Sequence, residues 1–541
     1  MRYHPSLKSI LEWTSLGIFL LLVFGALAVC RGDNLSGGWH SADLERSNTV
    51  DHDDLEAKVT AKPGAGLVWG TNRSAPPTET TVPVLPGAEP TKPTPSTPAP
   101  STASLRQPAP LPIKPSSPQP GTIGTPGKYL LKSSRQKGST DLVETLLEVT
   151  GEAKQISSDF KEVKEKMEVV AGFRYEERIE QFSSSGLVSL RQYNLAKSKM
   201  KIGNQIKMPE LPQELQTIVC SLDRDHVSLF SPHGSLRGEQ LLLIEDIPGN
   251  TLTIDRLLPN VEVGVGESWK IRDSVLRSFL ALDAVTSSNV EAVLTAVADN
   301  MAMVEVIGDV SGVYLGAATE MSVQAKFQFD LSLQRINWLG AVFEENRSIG
   351  HVGPGLDLMA KLQVKISPIE KPQALIDTAI MTISTRPNPG VLQLKYDGGK
   401  GPWRFSHDRS WYVYQDDPQT TVLRKLVNGE LVAQCNVADM GTVDLKTMTT
   451  LGKFQQDLMV GLGENFGKIA AAGEYEDQRG CRVYKVILDG MVDDLALRWI
   501  YHLITDKDGK QSVVVFVVEA AMLDQFGNAD EKLLETYRMG K

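Results

Sequence analysis

Proline is concentrated in one part of this 541-residue chain, and that concentration limits where a folded core can form. Sixteen of the thirty prolines lie between Pro76 and Pro126, mixed with Thr, Ser, Ala and Gly. Proline fixes φ and removes a backbone donor, so such a stretch favours extended polyproline conformations and buries too little apolar surface to fold. We therefore predict a disordered linker over residues 31–139. The alternatives to a plain spacer are a ligand for a proline-recognising module and a glycosylated stalk.

An apolar run over residues 16–30 precedes the linker and follows a weakly basic start. It is short for a membrane span of about twenty residues, although apolar residues upstream would lengthen it. Ala26 and Ala28 form a small-x-small pattern typical of signal cleavage, and the residues ending at Cys30 resemble a lipobox. Residues 1–30 are thus a cleaved signal peptide, a transmembrane anchor or a lipid anchor on Cys30, and each predicts export to the cell envelope.

Charge and composition exclude several classes of protein. The net charge is −10 and no dense Lys/Arg cluster appears, which argues against nucleic-acid binding. Four cysteines are too few for a disulfide scaffold, and none forms a CxxC pair. The eight histidines are scattered, so we expect neither a metal nor a cofactor site.

A seven-residue apolar repeat follows the linker and predicts a helix over residues 140–169. The helix would mediate a homodimer or pack on the following domain. The seam residues are Leu142, Leu146, Val149, Ala153, Ile156, Phe160, Val163, Met167 and Val170.

Residues 170–372 are predicted to form a β-rich antiparallel domain, either an open barrel or a sandwich. Runs at residues 187–191, 240–244 and 251–254 read as strands, and residues 290–366 as a meander of long strands. Residues 274–282 read as a short helix. The pattern resembles the half-barrels of LolA-like envelope carriers, which would imply an apolar ligand.

Residues 388–541 are predicted to form an α+β domain, an antiparallel sheet with two helices on one face. Asn428-Gly429 signals a hairpin between two strands. An amphipathic helix runs from Leu451 to Phe466, and a closing helix starts near Asp530.

The order of these elements resembles the PsbP-like fold. The resemblance rests on Phe405 to Trp411, on Ala433 to Val437, on Gly480 to Tyr484 and on the final Ala529 to Leu534 helix. It covers the last 150 residues or so and implies a non-catalytic accessory or binding domain. The rest of the chain resembles bacterial envelope proteins in its layout.

Few residues are candidates for a catalytic site or a covalent cross-link. Cys435 and Cys481 fall on strands of one predicted sheet and are either a disulfide or two free thiols. His407 next to Asp408 comes with no nucleophile motif, so we expect a solvated histidine. No catalytic residue is predicted.

These features favour an exported or membrane-anchored protein of the cell envelope that binds or assembles without enzymatic activity. Its partners would be the membrane, through the N-terminal segment, and an apolar ligand or an envelope protein. The alternatives are a lipid or acyl carrier built on the β-rich domain and a hydrolase whose site forms only in three dimensions.

Overall fold

The computed structural model describes residues 127–156, 161–183, 186–397 and 399–540. The predicted leader, with Ala26, Ala28 and Cys30, lies outside the described residues, as does the linker up to residue 126. Within the described part, no helix is both long and apolar enough to cross a membrane.

The first half of the described chain is built from strands that pair antiparallel. In chain order they are β1 Lys128–Leu130, β2 Thr140–Ile156, β3 Glu162–Ser183, β4 Gly186–Ile202, β5 Gln205–Lys207, β6 Thr217–Asp223, β7 His226–Phe230, β8 Glu262–Gly264, β9 Ser268–Lys270, β10 Ala284–Ser288, β11 Glu291–Ala298, β12 Met301–Tyr314, β13 Ala317–Asp330, β14 Arg335–Arg347 and β15 Gly355–Pro368.

Thirteen of these strands, among the described residues, form one open antiparallel sheet. The main path runs β7-β6-β4-β3-β2-β15-β14-β13-β12-β11-β9, with β5 beside β4 and β10 beside β12. Side chains alternate between a buried inner face and a solvated outer face, as on β13, where Phe327 and Phe329 are buried and Lys326 is exposed. This confirms the prediction of a β-rich antiparallel region with an open sheet.

The helix predicted at residues 140–169 is wrong, because this stretch forms β2 and part of β3. Strand β2 lies between β3 and β15 near the middle of the sheet. Its buried residues, among them Val143, Leu147 and Val149, follow a period of two. Strand pairing on both sides supplies the hydrogen bonds that a helix would make internally, so the predicted coiled-coil dimer has no seam.

Three short helices cover the inner face of the sheet: α1 Gly238–Glu245, α2 Thr251–Ile254 and α3 Asp273–Phe279. Leu276, Phe279 and Ile254 are almost fully buried in the same core as the sheet. The strands predicted at residues 240–244 and 251–254 are therefore wrong, and the short helix predicted at 274–282 is confirmed. Gln240 accepts from the Arg237 backbone N–H at 2.9 Å, and Asn250 accepts from Leu252 N–H at 3.1 Å, so both new helices are capped.

Residues 128–139, which we call the strap, are folded although they were assigned to the linker. β1 pairs with β8, and Leu131 is fully buried. Arg135 donates to Glu177 on β3 at 2.7 Å and to the Thr251 carbonyl of α2 at 3.1 Å. The strap therefore fastens the inner helices to the sheet.

Glu177 is the centre of a buried charge network beneath the strap. Besides Arg135, it accepts from Arg191 at 2.8 Å and from Ser189 at 3.0 Å. Burial alone would raise the pKa of Glu177, but Arg191 and Arg135 outweigh it and lower that pKa to about 2. Glu177 is therefore ionised. It is the carboxylate that pairs with Arg191, whereas Arg135 also lies 3.2 Å from Asp141.

The second half of the described chain begins with two short helices on the outer face of β4, β6 and β7, which are α4 Asp377–Ile380 and α5 Pro389–Leu392. The strands that follow are β16 Leu394–Tyr396, β17 Trp403–His407, β18 Trp411–Asp416, β19 Thr420–Val427, β20 Glu430–Thr442, β21 Phe466–Glu476, β22 Arg482–Val492, β23 Leu495–Thr505, β24 Lys510–Glu519 and β25 Arg538–Met539. The remaining helices are α6 Leu451–Leu462, α7 Leu523–Phe526 and α8 Ala529–Thr536.

Seven strands form a second open antiparallel sheet in the order β18-β19-β20-β24-β23-β22-β21. This confirms an α+β region with an antiparallel sheet, and Asn428-Gly429 closes the β19–β20 hairpin as predicted, with φ values of 52° and 80°. The predicted amphipathic helix ends at Leu462, since Gly463 adopts φ of 54° and Phe466 begins β21.

The helices lie on opposite faces of this sheet, not on one face as predicted. Val514 and Phe516 of β24 pack in one core with α7 and α8, whereas Val513 and Val515 pack in another with α6. Because alternate residues of a strand face opposite sides, a fully apolar strand such as β24 needs a cover on both.

Helix α8 is fixed to the second sheet through Asp530. The Asp530 carboxylate lies 2.9 Å from the Lys485 amine and 3.3 Å from Nε2 of the buried His502. Although burial raises the pKa of Asp530, these two partners lower it to about 2. The contact is therefore an ion pair with Lys485, strengthened by a hydrogen bond.

Candidate functional site

A cleft of about 900 Å³ lies where the edge of the first sheet faces the edge of the second. One wall carries β7 and α1, and the other carries β18 and the turn before it. Both strands are terminal in their sheets, so the cleft runs between two strand edges that have no neighbouring strand among the described residues.

The backbone of β7 points into this cleft. A two-residue turn joins β6 to β7, with Asp223 paired to His226. In such a hairpin the closing pair is hydrogen-bonded and the next pair is not, so the N–H and C=O of Val227 point away from β6. Two residues on, the Leu229 carbonyl also faces outward, and it accepts from the Arg409 guanidinium at 2.6 Å.

Two adjacent carboxyl groups at the end of α1 line the cleft. Burial raises the pKa of Glu245 to about 7, although Arg409, 3.6 Å away, opposes the shift. Burial likewise raises the pKa of Asp246 to about 6, against the effect of its hydrogen bond from the Tyr314 hydroxyl. Both carboxyl groups therefore titrate near neutral pH, whereas most carboxyl groups are fully ionised there.

The opposite wall is aromatic. Trp411 and Tyr412 of β18 lie there, with Val413 beside them. Burial raises the pKa of Tyr412, and the nearby carboxylates raise it further. This wall thus presents apolar rings and neutral hydroxyl groups.

The far end of the cleft, near the start of α1, carries cationic groups. Arg237 pairs with Asp397 at 2.6 Å, and Lys207 lies nearby. Burial lowers the pKa of Lys207 despite the acidic Glu239. The two ends of α1 therefore differ in charge.

Contacts outside the cleft hold its two walls together. The backbone of Gly316, at the β12–β13 turn, lies so close to Gly429 that a Cβ added there would be 2.1 Å from the Gly429 carbonyl oxygen. Arg424 donates to the His351 carbonyl at 2.6 Å, and Val352 packs with Leu426 in a small apolar cluster. These contacts fix the width of the cleft.

His407 lines this cleft but is not solvated as the sequence suggested. It is 5% exposed, and its ring lies 6.0 Å from the Phe405 ring, centroid to centroid, at a tilt of 53°. Its Nδ1 lies 2.9 Å from the Asp408 carbonyl oxygen, not from the carboxylate. Burial lowers its pKa. His407 is the last residue of β17, where it pairs with Leu394 of β16.

Cys435 and Cys481 are free thiols, so the disulfide alternative is wrong. Cys435 lies on β20 level with Ile487 of β22, six residues beyond Cys481, and two strands separate β20 from β22. At about 4.8 Å between strands, their Cα atoms are more than 14 Å apart, beyond disulfide reach.

The sequence analysis did not identify Glu245 or Asp246 as candidate site residues. Glu245 and Asp246 carry no motif, and their partners come from distant segments. Within the described residues, no group of three His, Cys, Asp or Glu side chains is arranged to hold a metal ion.

No protein-family model matches the chain, and no curated protein matches it in sequence. Among solved structures, the cyanobacterial PsbP of Synechocystis sp. PCC 6803 matches with 14% identity over 28% of this chain and 96% of its own, at a TM-score of 0.23. The resemblance to PsbP is therefore present as a weak structural similarity over that part.

Two further matches cover more of the chain. A lipovitellin structure on lipid–protein interactions matches at 8% identity and a TM-score of 0.27, over 44% of this chain and 26% of its own. An outer membrane channel of Pseudomonas putida F1 matches at 8% identity and a TM-score of 0.11, over 73% of this chain and 99% of its own. All these TM-scores lie below 0.5, so the similarities carry no inference about function.

Proposed function

We propose that this chain is a non-enzymatic binding protein of the cell envelope, which holds its ligand in the cleft between β7 and β18. The observation that carries the proposal is the cleft itself. Its volume of about 900 Å³ lies within the range of ligand sites, and its walls come from both sheets. Placement in the envelope rests on the apolar run at residues 16–30 and on the proline-rich linker.

The polar groups of the cleft already have partners within the protein, which supports binding over catalysis. Glu245 is paired with Arg409, and Asp246 accepts from Tyr314. A hydrolase needs an acid or base free to reach the substrate, next to a nucleophile or a water.

The test is native mass spectrometry of the full chain purified from its own host. Leu242 lines the cleft from α1, so L242W fills part of it. Met381, 82% exposed and not among the lining residues, gives the matched control M381W. We expect a co-purifying mass in wild type and M381W that is lost in L242W, and equal spectra for all three would refute the proposal.

A hydrolase is the second candidate, because Glu245 and Asp246 both have raised pKa values in one cleft. E245Q and D246N would each abolish turnover of a substrate found by screening ester, amide and glycoside probes. Turnover that survives both substitutions would exclude this site.

The lipid-carrier alternative requires a rearrangement. The inner face of the first sheet, where a lipid would lie, is filled by α1, α2 and α3, with Phe279 only 1% exposed. A lipid would have to displace these helices and break the strap's contacts with α2.

A further inference from the structure

We propose that the ligand of the cleft is an extended polypeptide segment, which adds as a short strand to the free edge of β7. This inference rests on the proposed binding function and names the class of ligand. It follows from the position of two strand edges, the direction of the β7 backbone and the charges of the walls.

The two strand edges are the first step. A terminal strand presents a row of backbone donors and acceptors, and proteins either cover such an edge or use it to bind another strand. Here the uncovered part of β7 and the edge strand β18 line the same cleft. A small apolar ligand would leave these backbone groups without partners, whereas an extended peptide satisfies them.

The direction of the backbone limits where the peptide pairs. The N–H and C=O of Val227 point away from β6, as the β6–β7 hairpin requires, and Val227 lines the cleft. The Leu229 carbonyl is taken by Arg409. Pairing is therefore centred on Val227 and is a few residues long, so the side chains of the ligand must supply part of its affinity.

The walls indicate which side chains fit. Val413 and Tyr412 offer apolar surface on one side, and Glu245 and Asp246 offer carboxyl groups on the other. Carboxyl groups outnumber Lys and Arg among the residues that line the cleft. A Lys or Arg flanked by β-branched residues complements this surface, and its charge favours the ionised form of both carboxyl groups.

The experiment uses the full chain and fluorescence polarisation. The probe is a fluorescein-labelled pool of octapeptides with Lys fixed at the centre and Val, Thr or Ile at the other positions. One control pool carries N-methyl groups on alternate backbone nitrogens, and another has Glu in place of Lys. N-methylation removes backbone donors and leaves the side chains unchanged, so it isolates strand pairing from side-chain contacts.

We expect the Lys pool to bind and N-methylation to weaken binding at least tenfold, since the hydrogen bond to the Val227 carbonyl is lost and the methyl groups keep the peptide from approaching the edge of β7. The Glu pool should bind more weakly than the Lys pool. V227P, which removes the N–H at the centre of the edge, should weaken binding, whereas V227A, which keeps it, should not. Proline is tolerated on an edge strand, so V227P is expected to fold.

Several results would overturn the inference. Equal binding of the methylated and unmethylated pools would exclude strand addition, and so would binding that L242W leaves unchanged. A dimer by light scattering that L242W dissolves would make a second copy of the chain the occupant. If native mass spectrometry finds a ligand lost in L242W and no pool binds, the cleft holds another class of ligand, and only the peptide assignment fails.

Discussion

The buried Glu245 should make a contribution to stability that falls as the pH rises. Its ordinary pKa is 4.5, and burial raises it to about 7 in the folded protein. Between these two values the folded protein holds a proton on Glu245 that the unfolded chain has released. The folded state therefore binds more protons, and its stability decreases with pH through this window.

The size of the effect follows from the same two values. A pKa difference of 2.5, from 4.5 to about 7, corresponds to about 3 kcal/mol at about 1.4 kcal/mol per pKa unit. The side chain is 27% exposed, so solvent screening makes this an upper value. The side chain in E245Q is neutral at every pH, so we expect the substitution to remove the part of the loss that Glu245 causes, while Asp246 contributes equally in both proteins.

The assay is urea denaturation of wild type and E245Q at pH 5, 6, 7 and 8, with free energies compared at each pH. E239Q is the control, because Glu239 lies on the same helix with a side chain that is 56% exposed. We expect E245Q to gain on wild type as the pH rises and E239Q to follow wild type throughout. If wild type instead gains on E245Q, the ion pair with Arg409 outweighs burial and the reasoning is wrong.

Three further substitutions probe the framework around the cleft. E177A should cost about 3–5 kcal/mol in urea denaturation, because it removes the carboxylate that pairs with the buried Arg191 and leaves the buried Arg135 with Asp141 and Asp255 alone, whereas E148A on the exposed face of β2 should stay within about 0.5 kcal/mol; a small loss for E177A would show that water reaches the network. G316A should loosen the contact between the two sheets and speed proteolytic cleavage between them, because its Cβ meets the Gly429 carbonyl oxygen at 2.1 Å, whereas G266A, with φ of 88° and nothing within 4 Å, should cost only about 1 kcal/mol of backbone strain. D530N should cost about 2 kcal/mol at neutral pH, since the folded pKa of about 2 lies below the ordinary 3.8, and this difference should disappear as acid titration passes both values; a difference that persists below pH 2 would contradict the ion pair.

The error at residues 140–169 has a definite physical origin. On β2 the outer-face charges Glu144, Glu148 and Glu152 recur every four residues, which fits both a helix face and one face of a strand. Apolar pairs such as Leu142-Val143 place one residue on each face of the sheet and add a false seam. Only the pairing with β3 and β15, which lie far apart in sequence, decides between the two periods.

The second half of the chain was easier to predict. The positive φ values of Asn428 and Gly429 are local properties that this residue pair displays directly in the sequence. The face on which each helix packs is not local. It depends on whether Val513 or Val514 faces a given helix, and a continuous apolar strand gives no sign of that choice.

The cleft was out of reach for the same reason. Val227, Glu245 and Tyr412 belong to three segments that meet only when two sheets dock edge to edge. The signals present in the sequence were the short turn before β7 and the two carboxylates after an apolar run, and neither indicates a cleft without the docking.

The strap determines how tension on the upstream chain would reach the folded part. The described chain begins just before β1, which lies antiparallel against β8, and continues to Arg135. The Arg135 guanidinium donates to the Thr251 carbonyl of α2 and to the Glu177 carboxylate of β3. A pull on residue 127 therefore meets the short β1–β8 pairing first and the buried Arg135–Glu177 ion pair after it. The inner helices and the sheet stay joined at the strap for as long as that ion pair holds.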